Sequence, residues 1–176
     1  MGTNAHPGQK GYGRMSKYTL KAAIKYGDNL REFSNISQAE NYFIAHKDSL
    51  LNRLRSASTQ SSVFFPDYTV ESLKRIEQWY FDLYEENAFG KIGLSQKEFE
   101  CMMSVYWGEV IIKNHGDAKW IVEEYPFVQG KYELLVNKGL INVSIGEHFC
   151  DLYKRPNNKR KNILFREYNK YFTANL

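Results

Sequence analysis

Two cysteines in 176 residues, Cys101 and Cys150, are too few for a disulfide scaffold. No apolar run reaches the roughly eighteen residues a transmembrane helix needs. There is no Cys-x-x-Cys, no His-Glu-x-x-His and no Gly-x-Ser-x-Gly, so the common zinc and serine-nucleophile signatures are missing. Gly11-Tyr12-Gly13 is not a phosphate loop, because no strand precedes it and no Gly-Lys-Ser/Thr follows. Residues 1–15 read as a flexible lead. Met1 to Arg14 is Gly-rich and polar, without the apolar centre of a secretory signal. These absences set a cytoplasmic protein as the expectation, with no cofactor, no metal and no membrane span.

What is present fits an ordinary soluble domain. Hydrophobic residues are 43% and charged residues 25% of the chain, too apolar for intrinsic disorder. The length suits one domain over residues 16–176. Aromatics are the compositional oddity, with 13 Tyr, 11 Phe and 3 Trp. Tyr buries a ring and keeps a hydroxyl for a partner, which fits a Tyr-rich core with wet edges or a binding surface. The net charge of +4 hides a pattern. Residues 1–66 carry nine basic and four acidic side chains, residues 67–124 six and twelve, and residues 147–176 seven and three. Basic ends flank an acidic middle, and such blocks attract each other or face different partners.

The periodicity predicts helices first. Residues 16–26 place Leu20, Ala23 and Ile24 on one face and Arg14, Lys17, Lys21 and Lys25 on another. Ser37-Gln-Ala-Glu40 reads as a capping box opening a helix that ends near Arg55, with His46 on its apolar face as a core histidine. Ser56 to Asp67 then reads as a polar loop with a Val-Phe-Phe plug. A third helix spans about 70–87, and Ser95-Gln-Lys-Glu98 is a second capping box. The helix it opens, about 96–113, is apolar nearly all round in its second half, so it should be buried on more than one side. Gly108 is tolerable there if a neighbouring element packs closely. Gly116 is free to end that helix in the left-handed conformation.

The period then changes to two. Trp120–Tyr125, Tyr132–Val136 and Ile141–Ile145 read as strands, with a hairpin turn at Asn137-Lys138-Gly139. The expectation is an antiparallel sheet of three or more strands with one face covered by helices. A short helical piece at 147–153, a break at 154–158 and a last helix over about 158–172 complete an α+β fold.

Three places could carry chemistry. Glu109 stands alone in an apolar helix segment, where a carboxylate costs desolvation unless paired. As a catalytic candidate it is an acid or base in a pocket. As a structural carboxylate it bonds an indole N–H of Trp120 or Trp107, or a Lys or Arg. The basic cluster Lys154, Arg155, Lys159, Arg160 and Lys161, with Tyr153 beside it, could hold phosphates and stack a base. Glu147-His148-Phe149-Cys150-Asp151 has ligand-capable residue types but not zinc spacing. Cys101 lies among apolar residues, where a thiol is usually inert.

Tyr106-Trp107-Gly108-Glu109-Val110, then Gly116, then Lys119-Trp120 before Glu-Glu-Tyr-Pro, resembles a pattern in small bacterial α+β proteins of unknown function. In those an aromatic-Gly-Glu-Val helix end precedes a Gly-x-x-Trp strand start, and some are of immunity type. The resemblance covers residues 70–145 and carries over no catalytic residue. It implies an α+β domain without an established enzymatic role. The leading expectation is a protein-binding module, with Lys154, Arg155, Lys159, Arg160, Lys161, Tyr153, Trp107 and Trp120 as its binding residues. A nucleic-acid-binding module using the basic ends and an enzyme built on Glu109 are the alternatives.

Overall fold

Asn35 and Ser95 start the two longest helices with a side-chain N-cap. The Ser95 hydroxyl accepts from the Glu98 backbone N–H at 3.2 Å, and Glu98 accepts from the Ser95 N–H at 2.8 Å. At α2 the cap lies two residues before the expected Ser37, and it is not a reciprocal box. The Asn35 carbonyl oxygen accepts from Gln38 N–H at 3.0 Å, and Gln38 reaches back to the N–H of Ser34 at 3.3 Å. Asn caps at least as well as Ser, and the earlier start adds Ile36 and Ser37 to the helix.

The computed structural model describes residues 17–146 and 148–173. The order is α1 (Lys17–Asp28), α2 (Ile36–Ser61), α3 (Ser72–Glu85), α4 (Gln96–Asn114), β1 (Ala118–Glu124), β2 (Tyr132–Lys138), β3 (Ile141–Ser144) and α5 (Ile163–Phe172). The flexible lead expected over residues 1–15 lies outside the described residues.

Helix α2 runs six residues past Arg55, through the stretch expected as a loop. The hydroxyls there turn back onto the helix. Ser56 donates to the Asn52 carbonyl at 3.1 Å, Ser58 to Leu54 at 2.7 Å and Thr59 to Arg55 at 3.0 Å. Polar side chains that satisfy themselves on the previous turn need no water, so a Ser/Thr run stays helical. Ala57 and Ser58 are buried in consequence. The helix stops where Ser62 turns left-handed, φ 55°. Of the Val-Phe-Phe plug only Phe64 enters the core, while Val63 and Phe65 are 64% and 76% exposed.

Helix α4 is the pillar of the core. Met103, Tyr106, Trp107, Val110 and Ile111 are fully buried. Helices α2, α3 and α5 and strands β1 and β2 all pack on α4, which is why its hydrophobic residues go round the whole circumference. The Tyr hydroxyls that enter this core find partners. Tyr106 is bonded to the Ser72 hydroxyl at 2.6 Å and accepts the Tyr68 N–H at 3.0 Å. Tyr80 donates to buried Glu100 at 2.7 Å. Burial raises the Tyr106 phenol to about 12, so it stays a neutral donor.

The sheet is antiparallel in the order β1-β2-β3. Trp120 pairs with Val136 and Val136 with Val143, which puts these three on the face that α2 and α4 cover. The hairpin loop is Gly139-Leu140 rather than Asn137–Gly139, because Lys138 pairs with Ile141. Gly139 takes φ 58° at the first loop position, as a II′ turn requires.

Three further expectations are corrected. Gly116 does not take the left-handed conformation. His115 leaves α4 extended, at φ −134°, and the Ala118 N–H closes the turn onto the His115 carbonyl. The described part of 147–153 holds turns and a 3₁₀ turn at Leu152–Lys154, with Asp151 left-handed at φ 55°. Helix α5 starts at Ile163 rather than 158, because Asn162 is left-handed and α3 supplies the cap. The Leu164 N–H donates to the Glu77 carboxylate at 2.9 Å.

Candidate functional site

Glu109 sits at the junction of α4 and β1. The Trp120 indole N–H donates to its Oε2 at 3.0 Å, and the Lys113 ammonium lies 3.7 Å from Oε1. This is the structural pairing that an isolated carboxylate in an apolar helix calls for. Beside it, a Cβ built on Gly108 would fall 2.2 Å from Cη2 of Trp120. The glycine lets the six-membered ring of the indole press against the helix while its N–H meets Glu109. Trp120 is half-buried and Trp107 fully buried, its indole N–H donating to the Leu164 carbonyl at 2.9 Å. As a binding residue Trp107 is corrected, since no part of it reaches the surface.

The C-terminal basic residues differ in placement. Arg160 folds inward, donating to the carbonyls of Arg155, at 2.5 Å, and Tyr153. Lys154 is paired with Asp151 at 2.7 Å. Tyr153 stacks on Tyr84 with centroids 4.8 Å apart and is half-buried. Arg155, Lys159 and Lys161 remain exposed, and their side chains make no ion pair among the described residues. His148 stacks on Trp107, 5.2 Å between centroids, and the described residues contain no cluster of His, Cys, Asp or Glu able to hold a metal.

The structure draws together a different set of residues. A partly open cavity of about 210 Å³ lies at the end of the sheet, where β2 runs on beyond the stretch paired with β3. Helix α1 and the turn after it supply Tyr26, Asn29, Leu30 and Arg31. Helix α2 supplies Tyr42, Phe43, His46 and Leu50, and α4 supplies Cys101 and Val105. Tyr132, Glu133 and Leu134 of β2 and Ser144 to Gly146 complete the wall. The lining is mostly apolar, with few polar groups, as in small-molecule sites.

Each wall has a local cause. Gly27 brings α1 against Tyr125 and Val128, where a Cβ would fall 2.6 Å from either side chain. Tyr125 donates to the Ala23 carbonyl at 3.1 Å, fixing the same helix. The Tyr132 N–H donates to the Arg31 carbonyl at 3.4 Å, which lays the turn after α1 along the start of β2. Phe33 then packs on Tyr42, Phe43 and Tyr132, with centroids 5.4, 5.6 and 6.0 Å away.

The polar groups are few and specific. Glu133 Oε1 accepts from the Tyr26 hydroxyl at 3.0 Å and the Ser144 hydroxyl at 2.8 Å. Among the described residues nothing donates to Glu133 Oε2, and no cation pairs the carboxylate. The Arg31 guanidinium lies 4.2 Å above the Tyr42 ring, a cation–π contact, and has no carboxylate partner among the described residues. His46 stacks on Tyr42 at 5.5 Å. Desolvation and then the Arg31 charge lower the His46 imidazole below its usual value, so it is mainly neutral near pH 7. His46 was expected as a core histidine. It is instead an exposed residue at the cavity wall.

Sequence reasoning missed this site because no two of its charged groups are neighbours in a motif. Glu133 looks like an outward residue on an alternating strand, and Arg31 like a loop residue. The one available signal was Tyr26, Tyr42 and Tyr132 falling on the inward sides of three separate elements.

Fold and site together define an α+β domain, a three-stranded antiparallel sheet covered by helices with a small, mostly apolar cavity at the sheet end. Residues 32–172 match the family described as uncharacterised protein YwmA, and the chain belongs to that family. The uncharacterized protein YwmA of Bacillus subtilis (strain 168) is 32% identical over 110 residues, which is 62% of this chain and 69% of that protein. No solved structure matches. The matched stretch holds the α2, α4 and sheet walls of the cavity, while Tyr26 to Arg31 precede it.

Proposed function

We propose that this protein binds a small metabolite in the cavity between α1, α2, α4 and the sheet end. The observation that carries this reading is Glu133, a half-buried carboxylate held by two hydroxyls, whose other oxygen accepts from no donor among the described residues and lines a mostly apolar cavity. A protein that needed only a packed sheet end would fill that space with side chains. The volume of about 210 Å³ falls below the ~300–1,000 Å³ of drug-sized sites, so the ligand is small. The test is an amide NMR titration with the low-molecular-weight fraction of a bacterial extract. Signals of Leu30, Phe43, Cys101, Leu134 and Ser144 should shift together while those of α3 stay in place. If the shifts spread elsewhere or are absent with every fraction, the reading falls.

A protein-interaction role, immunity type included, has one feature in its support. Val63 and Phe65 stand 64% and 76% exposed on the connection between α2 and α3, on either side of buried Phe64, and exposed apolar residues grouped on one segment are a common mark of contact surfaces. Replacing both by Ser should abolish any partner capture without moving the thermal midpoint downward. Unchanged capture would remove this surface from the account.

A further inference from the structure

We infer that the cavity takes a small zwitterion, an ammonium and a carboxylate carried on a mostly apolar body of amino-acid size. This rests on the reading of the cavity as a binding site and names its ligand class. The inference comes from a juxtaposition of charges. Glu133 and Arg31 line one small cavity and are held on adjoining backbone, through the Tyr132 N–H to the Arg31 carbonyl at 3.4 Å. They nevertheless form no ion pair with each other or with any other described residue.

Each charge is instead positioned by neutral groups. Tyr26 and Ser144 turn Glu133 by bonding one oxygen only, and the Tyr42 ring supports the guanidinium from below. Opposite charges that share a cavity without meeting are the complement of a ligand that carries both signs. A simple cation would satisfy Glu133 but be repelled by Arg31, and a simple anion would meet the reverse. The guanidinium fork suits a carboxylate, and the open Glu133 oxygen suits an N–H donor. Between them the walls offer Leu30, Phe43, Leu50, Val105 and Ile145, so the body of the ligand is apolar. His46, mainly neutral, adds no third charge.

The test uses the full chain with L-leucine and L-phenylalanine as probes. Each is compared with the analogue lacking the amino group (4-methylpentanoate, 3-phenylpropanoate) and the one lacking the carboxylate (3-methylbutylamine, 2-phenylethylamine). Affinity is read by calorimetry, and occupancy by the iodoacetamide rate at Cys101, which lines the cavity, against Cys150, which does not. At least one amino acid should bind and slow Cys101 alone, and each analogue should bind about tenfold to a hundredfold more weakly. Glu133→Gln, which keeps both hydroxyl bonds, should weaken the amino acid about tenfold or more and, because it removes the repulsion of a simple anion, should leave the des-amino analogue bound at least as tightly as before. Arg31→Gln should do the same for the carboxylate. An analogue that binds as well as its amino acid overturns the zwitterion assignment, as does an unaffected Glu133→Gln protein. If analogues protect Cys101 and amino acids do not, the cavity is a site of another class. If neither these probes nor any extract fraction protects it, the binding reading itself is wrong.

Discussion

Gly108→Ala sets two effects of opposite sign against each other. In an exposed helix the change would stabilise by about 1 kcal/mol, because alanine loses less backbone freedom on folding. Here the new methyl would sit 2.2 Å from Cη2 of Trp120, 2.9 Å from Cζ2 and 3.1 Å from Cζ3. Carbon atoms in contact lie about 3.5–4.0 Å apart, so the indole must retreat by more than ~1 Å. It is not free to do so, because its N–H donates to Glu109 at 3.0 Å and its strand is paired through Val136. Retreat lengthens that bond, and a hydrogen bond to a charged group contributes about 1.5–3 kcal/mol. Overpacking by itself costs about 1–3 kcal/mol. The clash wins, and the variant should lose about 1–3 kcal/mol in a urea titration followed by far-UV circular dichroism. Trp120→Leu opens the space, so the double variant should be less unstable than the two single losses added, by about 0.5–3 kcal/mol. A neutral or stabilised Gly108→Ala protein would refute the claim that Gly108 exists to seat Trp120.

Glu77→Gln keeps an acceptor for the Leu164 N–H and removes the charge. Burial raises the Glu77 carboxyl above its ordinary value against the opposing pull of the Leu164, Ile163 and Asn162 N–H groups. The folded state therefore binds that proton more readily than the unfolded chain, and wild-type stability should fall as pH rises upward from ~4.5 through the folded value. The variant should lack this component, so the stability difference should move in its favour across that window in urea midpoints from pH 4 to 8. A difference that moves the other way would show that the N–H groups dominate. Ser95→Ala removes a cap with both reciprocal bonds in place and should cost about 1 kcal/mol by the same titration. Arg160→Gln should lower the thermal midpoint, because its guanidinium ties down the Tyr153 and Arg155 carbonyls, whereas Lys159→Gln should leave it unchanged. Equal midpoints for these two variants would return Arg160 to the surface cluster.

The parts of the fold legible in the sequence are those fixed by local chemistry. Ser95 and Glu98 need only each other to start α4, and Trp120, Val136 and Val143 need only a period of two to share a face. The Glu109–Trp120 pairing was legible because a lone carboxylate in an apolar helix has few ways to be satisfied. Where the reading failed, a distant or unexpected partner decided. Glu77 on α3 caps α5 from across the core and delays its start to Ile163. The hydroxyls of Ser56, Ser58 and Thr59 bond their own helix, so a run that looks like a loop continues α2. The cavity was illegible for the same reason. Tyr26 and Glu133 are 107 residues apart, and only the packing of α1 on the sheet end brings them together.

Segregated charge, basic at both ends and acidic between, suggested that electrostatics would organise this molecule. The ion pairs argue against it. Arg53–Glu98 joins the basic N-terminal part to the acidic middle, but both side chains are over 40% exposed. Lys74–Glu71 is a local pair on one turn. Exposed pairs of this kind contribute about 0–1 kcal/mol each, so the blocks of charge do little to hold the fold. Glu133 and Arg31 differ in kind. One is half-buried and held by two hydroxyls, the other is exposed but rests on an aromatic ring, and neither has a charged partner among the described residues. The informative charges in this chain are therefore the two that line the cavity with no ion-pair partner among the described residues, rather than the many that give its ends their sign.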